Sequence, residues 1–156
     1  MDQSVDLIAK PDPFAAIFVG GVIVGVLDLA YAVLVYSPHK PILIPQHIAS
    51  GLLGAKSYAG GARTAALGVM LHFIIALGAA TVYYLASRKL TMMVSRALIA
   101  GLIYGGLVYF FMHLIVLPIS AVTHSQMPLV YQACELAEHG FFVGLPIALS
   151  IRHYSG

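Results

Sequence analysis

Apolar residues run almost unbroken through four stretches of the chain, about Phe14 to Tyr36, Thr64 to Leu85, Ala97 to Leu117 and Leu129 to Ile151. Each is close to the roughly 20 residues a helix needs to cross a hydrocarbon core ~30 Å thick. No water is present there to satisfy a bare peptide group, so a run of this length must close its hydrogen bonds within itself, as a helix does. The pattern therefore predicts an all-α, four-transmembrane-helix bundle that takes up the chain, 1–156, as a single integral membrane domain. Helices that follow one another through short links pack as antiparallel neighbours, which puts both termini on one side.

One link is long. Between Ser37 and Arg63, Pro38, Pro41 and Pro45 favour extended backbone at first. Ile48, Leu52, Ala55 and Ala59 then recur at helical spacing until Gly60 and Gly61 end the pattern. This predicts a short helix lying in the interface or re-entering the bundle between the first two spans. Small residues four apart, at Gly21 and Gly25, Gly101 and Gly105, and Gly140 and Gly144, predict close helix contacts. With no Trp in the chain, the interfacial aromatic belts would rest on tyrosines such as Tyr36, Tyr83, Tyr84 and Tyr109.

Composition agrees with a lipid-embedded chain: 60% of residues are hydrophobic and 9% charged, against roughly a quarter charged in a soluble domain. The lipid bilayer is the first partner implied, and a homo-oligomer or a membrane complex the second. A formal charge of +2, scattered along the chain, gives no footprint for nucleic acid. The first span does not read as a signal peptide, since Asp2, Asp6 and Asp12 precede it against Lys10 alone and its apolar run is too long. Lys10, Arg88, Lys89, Arg96 and Arg152 fall on the side of the termini, and Lys40, Lys56 and Arg63 on the other. Cytoplasmic loops carry the excess of Lys and Arg, so N-in and C-in is expected. The lone Cys134 says nothing of redox compartment.

Against this background the ionisable residues stand out. Asp28 lies in the first span, His72 in the second, His113 in the third, and Glu135, Glu138 and His139 in the fourth. Counted from the outer helix ends at the helical rise, Asp28 and His72 lie ~12 Å deep, His113 ~6 Å, Glu135 ~9 Å and His139 ~15 Å. All fall in the outer half of the bilayer, where inward-facing positions on four helices can share one polar pocket. Glu135 and His139, four apart, share a helix face, and Glu138 widens that face into one polar patch. Charged groups at this depth face the bundle interior, pair with one another and mark function. The expected pocket is His72, His113, Glu135 and His139, with Asp28 and Glu138 behind them.

Three chemistries suit such a set. Carboxylate and imidazole groups from several helices can ligate a divalent metal, here at His72, His113, Glu135 and His139. They can equally relay protons. Two histidines on facing helices can hold a haem iron, the less expected of the cofactors. Met70 and Met112, close to His72 and His113, would suit copper, although Met in such helices usually packs. Beside these stands an ion-pair cluster that fixes helix register without chemistry. No phosphate loop, H-E-x-x-H or G-x-S-x-G is present, so the chain does not read as an enzyme of those classes and no catalytic residue can be named.

The stretches "LHFIIALGAATVYY", "FFMHLIVLPISAVT" and "CELAEHGFFVGLPIALSIRH" resemble the YagU-like bacterial inner-membrane proteins. In that pattern a His opens the second long helix, a His precedes an apolar stretch with Pro in the third, and E-x-x-x-H with a basic end marks the fourth. His72, His113, Glu135, His139 and Pro118 occupy the matching positions, while Asp28 falls outside them. The resemblance covers about half of the chain and implies location in a cell inner membrane, multi-pass, rather than a mechanism. The expected role is proton- or ion-linked transport or homeostasis. A metal- or haem-dependent membrane redox enzyme and a structural subunit of a membrane complex are the alternatives.

Overall fold

The computed structural model describes residues 11–123 and 127–155; Asp2, Asp6 and Lys10 lie outside them. The chain forms an all-α bundle of four helices long and apolar enough to cross a membrane, with no strand among the described residues. The first span is α1, Pro13–Tyr36, and a short helix α2, Leu43–Leu53, follows it. A 3-10 turn over Gly54–Ala59 leads into the second span, α3, Gly61–Lys89. After α4, Met92–Ser95, the third span runs from Ala97 to Ile119 as α5, Ala97–Phe111, a π turn, Met112–Val116, and α6, Leu117–Ile119. The fourth runs from Leu129 to Tyr154 as α7, Leu129–Glu138, a second π turn, His139–Gly144, and α8, Leu145–Tyr154.

Local chemistry sets the ends and the breaks. Asp12 caps α1, its Oδ1 accepting from the Ala15 N–H at 3.0 Å, with Pro13 at the first helical position, where a missing N–H costs nothing. Asp12 N–H also donates to the Tyr154 carbonyl at 3.1 Å, tying the start of the first span to the end of the fourth. Each π turn precedes a Leu-Pro pair, Leu117-Pro118 or Leu145-Pro146. A proline ring inside a helix removes one donor and crowds the carbonyl four residues back. The helix answers by widening the turn before it: Leu117 N–H reaches back to Met112 O and Leu145 N–H to Gly140 O, five residues instead of four.

The link between the first two spans departs from expectation. Its helix begins at Leu43, not after Pro45, and ends at Leu53, not at Ala59. Pro45 lies in the first turn of α2, where no intrahelical donor is missed, and Gly54 at φ +58 stops the helix. α2 lies along the first turns of α3, with Pro45 O directly against Gly68. Gln46 is buried there and donates to Gly61 O at 3.1 Å.

Side by side, the second span packs on the first, the first on the fourth, and the fourth on the third. The fourth is the most enclosed, with 44% of its apolar window buried against 11–22% for the others. Leu, Ile, Val and Phe side chains such as Leu34, Ile74, Leu107 and Phe141 remain exposed around the outside, as a surface meeting lipid requires. The buried core, with Ala16, Val24, Ala76, Tyr83, Val143, Ile147 and Ile151, fills the half of the bundle nearer the termini. Two of the tyrosines expected in an interfacial belt are instead inside: Tyr83 is fully buried and donates to Met93 O at 2.9 Å, and Tyr109 is buried as well. A phenol can sit that deep once its hydroxyl finds a carbonyl or its ring packs against polar rings.

The third and fourth spans touch backbone to backbone. Any side chain at Gly105 would collide with the His139 carbonyl, and any at Gly144 with Gly101 O. The Gly101/Gly105 and Gly144 spacing is therefore a crossing point, while Gly140 faces Leu102 at ordinary contact distance. On α1, Gly21 and Gly25 receive Leu77 and Phe73 of α3. The crossing is expected to be selective: Gly105→Ala should destabilise the bundle by roughly 1–3 kcal/mol through overpacking, whereas Gly78→Ala, with nothing within 4 Å of an added methyl, should be neutral or slightly stabilising. Thermal unfolding of the two variants in detergent checks this, and equal melting temperatures would rule out a tight crossing at Gly105.

Candidate functional site

The three histidines of the expected pocket each face a carboxylate, and the carboxylates sort them into two levels. In the outer level, His113 Nε2 lies 3.3 Å from Glu135 Oε2. In the inner level, His72 Nε2 lies 3.6 Å from Asp28 Oδ2, and His139 Nδ1 lies 2.8 Å from Glu138 Oε2. Glu138 follows Glu135 by three residues, so the levels are ~4.5 Å apart along the helix. An oxygen of Asp28, an oxygen of Glu138 and a nitrogen of His139 all lie within 4.8 Å of one another.

The local structure explains each placement. His113 is the second residue of the first π turn and His139 the first of the second. π turns insert an extra residue, reset the helix face that follows and recur at functional sites. Both imidazoles fold back on their own helix: His113 Nδ1 lies 3.0 Å from Tyr109 O, and His139 Nδ1 2.9 Å from Glu135 O. The Tyr109 ring joins them, its centroid 4.1 Å from that of His113 and 5.6 Å from that of His139. Since His139 starts where the third and fourth spans touch at Gly105, the glycine crossing fixes the height of the site.

Hydrogen positions follow from the acceptors. A carbonyl only accepts, so His113 Nδ1, His139 Nδ1 and His72 Nε2, which lies 3.0 Å from Gly25 O, each carry hydrogen. His72 thus donates to Gly25 O and stands beside Asp28. In His113 the other nitrogen faces Glu135.

Two oxygens remain open. Glu138 has 3% of its side chain exposed, and its Oε1 has no hydrogen-bond partner among the described residues. Glu135 Oε2 likewise has none beyond its contact with His113. A charged carboxylate at membrane depth costs ~3 kcal/mol even on insertion scales. The buried hydroxyl of Tyr36 sits beside Glu135, and Tyr36 packs against Tyr31 and Tyr131 with centroids 6.3 and 6.2 Å apart. Tyr36 and Tyr31 thus lie beside the carboxylates.

His72, His113, Glu135 and His139 thus do not converge on one point. The tightest group contains Asp28 and Glu138, which the sequence placed behind the others. Depth counting could not give the rotation of one helix against another. Met70 is 53% exposed and turned away from the cluster. Tyr36, Tyr31 and Tyr109 were missed as neighbours of the site; the four-residue step from Tyr109 to His113 was the legible signal for one of them. A groove of about 440 Å³ between the first and fourth spans, lined by residues such as Val19, Ile23, Phe141, Leu149 and His153, lies away from these groups.

Fold and site together define a multi-pass membrane protein with a buried carboxylate and imidazole cluster. Against known protein families, curated proteins and solved structures the chain finds no match.

The two levels predict specific coupling. In a double-mutant cycle, His113→Ala and Glu135→Gln should be non-additive by about 0.5–3 kcal/mol in unfolding free energy, while His113→Ala and Ser150→Ala, at opposite ends of the bundle, should add within about 0.5 kcal/mol. Additivity in both cycles would show that the outer pair does not interact.

Proposed function

We propose that this is an ion-handling protein of a bacterial inner membrane, with a role in proton- or ion-linked transport or homeostasis. The observation that carries the reading is the meeting of Asp28 and Glu138, from different spans, at membrane depth beside His139, with a buried Glu138 oxygen left open. Two carboxylates brought together out of water repel unless a positive charge or a proton lies between them. Such a place attracts cations and releases them when the helices part.

The cluster is approached from one side. Tyr131, Tyr36 and Glu135 lead in from the outer helix ends, and below it the apolar core from Val143 to Ile151 seals the way. The arrangement is that of an outward-facing or occluded site, and passage to the other side needs the fourth span to shift against the first and third. The charge count of the links supports an orientation with N-in and C-in, so that the site faces the periplasm. The resemblance to YagU-like proteins supports the inner membrane as its location. Association into a homo-oligomer, or with a partner in a membrane complex, belongs to the same reading.

Purified protein in proteoliposomes, loaded with pH- and cation-sensitive dyes and challenged with proton, monovalent or divalent cation gradients, tests the proposal. Flux above protein-free vesicles is expected for at least one of these ions. It should fall about tenfold or more, a ΔΔG‡ of about 1.4 kcal/mol or more, in Asp28→Asn and in Glu138→Gln. Met70→Leu, on the exposed face, should leave it unchanged. Flux no greater than in empty vesicles under every gradient, or undiminished in the double variant, would leave packing as the role of the cluster.

A further inference from the structure

We propose that Asp28, Glu138 and His139 form a binding site for a divalent first-row transition-metal ion. The proposal rests on the ion-handling reading and names the class of ion that the inner level takes. Three potential ligand atoms, two oxygens and one nitrogen, already lie within 4.8 Å of one another. At bonds of about 2.1 Å, two ligands on one ion lie at most about 4.2 Å apart, so small rotations of the Asp28 and Glu138 side chains close the set.

A second observation points to the same place. The Glu138 side chain is 97% buried, counting from its 3% exposure, and its Oε1 is without a partner among the described residues. A carboxylate buried so far for packing alone would have both oxygens satisfied. Here one oxygen lies 2.8 Å from His139 Nδ1 and the other is left for a ligand.

The donor types select the ion. Carboxylate oxygens with one imidazole suit Mn, Fe, Co or Zn in the divalent state; Mg and Ca prefer oxygen alone, and Cu(I) prefers sulfur. No sulfur belongs to the group, and Cys134 is exposed. His139 donates its Nδ1–H to Glu135 O at 2.9 Å, which fixes the tautomer and leaves the Nε2 lone pair free, the arrangement common in metal-binding histidines. His72, with its Nε2–H held by Gly25 O and 3.6 Å from Asp28 Oδ2, is a positioning residue for Asp28 and not itself a ligand. Three protein ligands leave coordination positions open, as in sites that exchange their ligand or ion and unlike closed structural sites.

Titration of the full-length protein in mild detergent with Co²⁺, followed by its visible d–d absorption, is the test, with Mn²⁺ binding by electron paramagnetic resonance as the second probe. The expected result is saturable binding of about one ion per chain that excess Mg²⁺ does not displace. Affinity should fall at least about tenfold in Asp28→Asn and Glu138→Gln, and about tenfold in His72→Gln through loss of positioning. Gly78→Ala, where an added methyl meets nothing within 4 Å, should keep affinity within about threefold. Because a buried Gln can unsettle the fold, the wild-type chain supplies an independent reading: its melting temperature should rise with Co²⁺ or Mn²⁺ and not with Mg²⁺. Absence of any Co²⁺, Mn²⁺ or Zn²⁺ binding by the wild type, or binding that survives loss of both Asp28 and Glu138, overturns the proposal. Proton flux in proteoliposomes without metal binding would sink this inference and leave the ion-handling reading standing; metal binding without flux of any ion would do the reverse.

Discussion

A carboxylate carried into a bilayer has to find its compensation inside the protein, because lipid offers neither hydrogen bonds nor counter-ions. Asp28, Glu135 and Glu138 meet that constraint in one half of the bundle, each opposite an imidazole: His72, His113 and His139. Much of the remaining architecture serves this arrangement. The fourth span, which carries two of the acids and one of the histidines, is the most enclosed, and the first and third spans bring it Asp28 and His113.

Holding these groups at matching heights takes backbone devices rather than side-chain packing alone. Gly105 and Gly144 let the third and fourth spans meet at backbone contact, and in lipid such close approach is a main source of helix association. The two π turns, of which the second begins at that crossing, are a consequence of Pro118 and Pro146, whose missing donors and crowded rings force the preceding turn to widen. His113 and His139 sit on these widened turns, so the same residues that bend the helices also aim these two imidazoles. In the other half the bundle does the opposite: small and aliphatic residues close it tightly, and its buried polar groups are satisfied by carbonyls, as with Ser150 on Ala16 O at 2.9 Å and Tyr104 on Ala79 O at 2.7 Å. One end is therefore closed by apolar packing, and the other holds the ionisable groups.

The satisfied histidines and the open carboxylate oxygens divide the labour within the cluster. Each imidazole spends one nitrogen on a backbone carbonyl, which anchors it and fixes its hydrogen. That leaves Glu138 Oε1 as a buried oxygen with no hydrogen-bond partner among the described residues, while Glu135 has His113 Nε2 at 3.3 Å and the Tyr36 hydroxyl beside it.

The sequence by itself determined the number of the spans, the shared side of the termini and the presence of a helix in the long link, while the second span, expected from Thr64 to Leu85, runs longer, Gly61–Lys89. These depend on length against bilayer thickness and on distance along a helix, and both can be counted in residues. It misjudged the start of α2, since Pro45 is harmless in a first turn, and it assigned Tyr83 and Tyr109 to the interface although the tertiary packing buries them. Only the tertiary structure decided that Asp28 and Glu138, and not His72 and His113, share the closest group with His139. The physical reason is that a helix repeats its own faces every 3.6 residues, but its rotation against a neighbour is set by contacts such as Gly105 on His139, which have no signature in the local pattern of either helix.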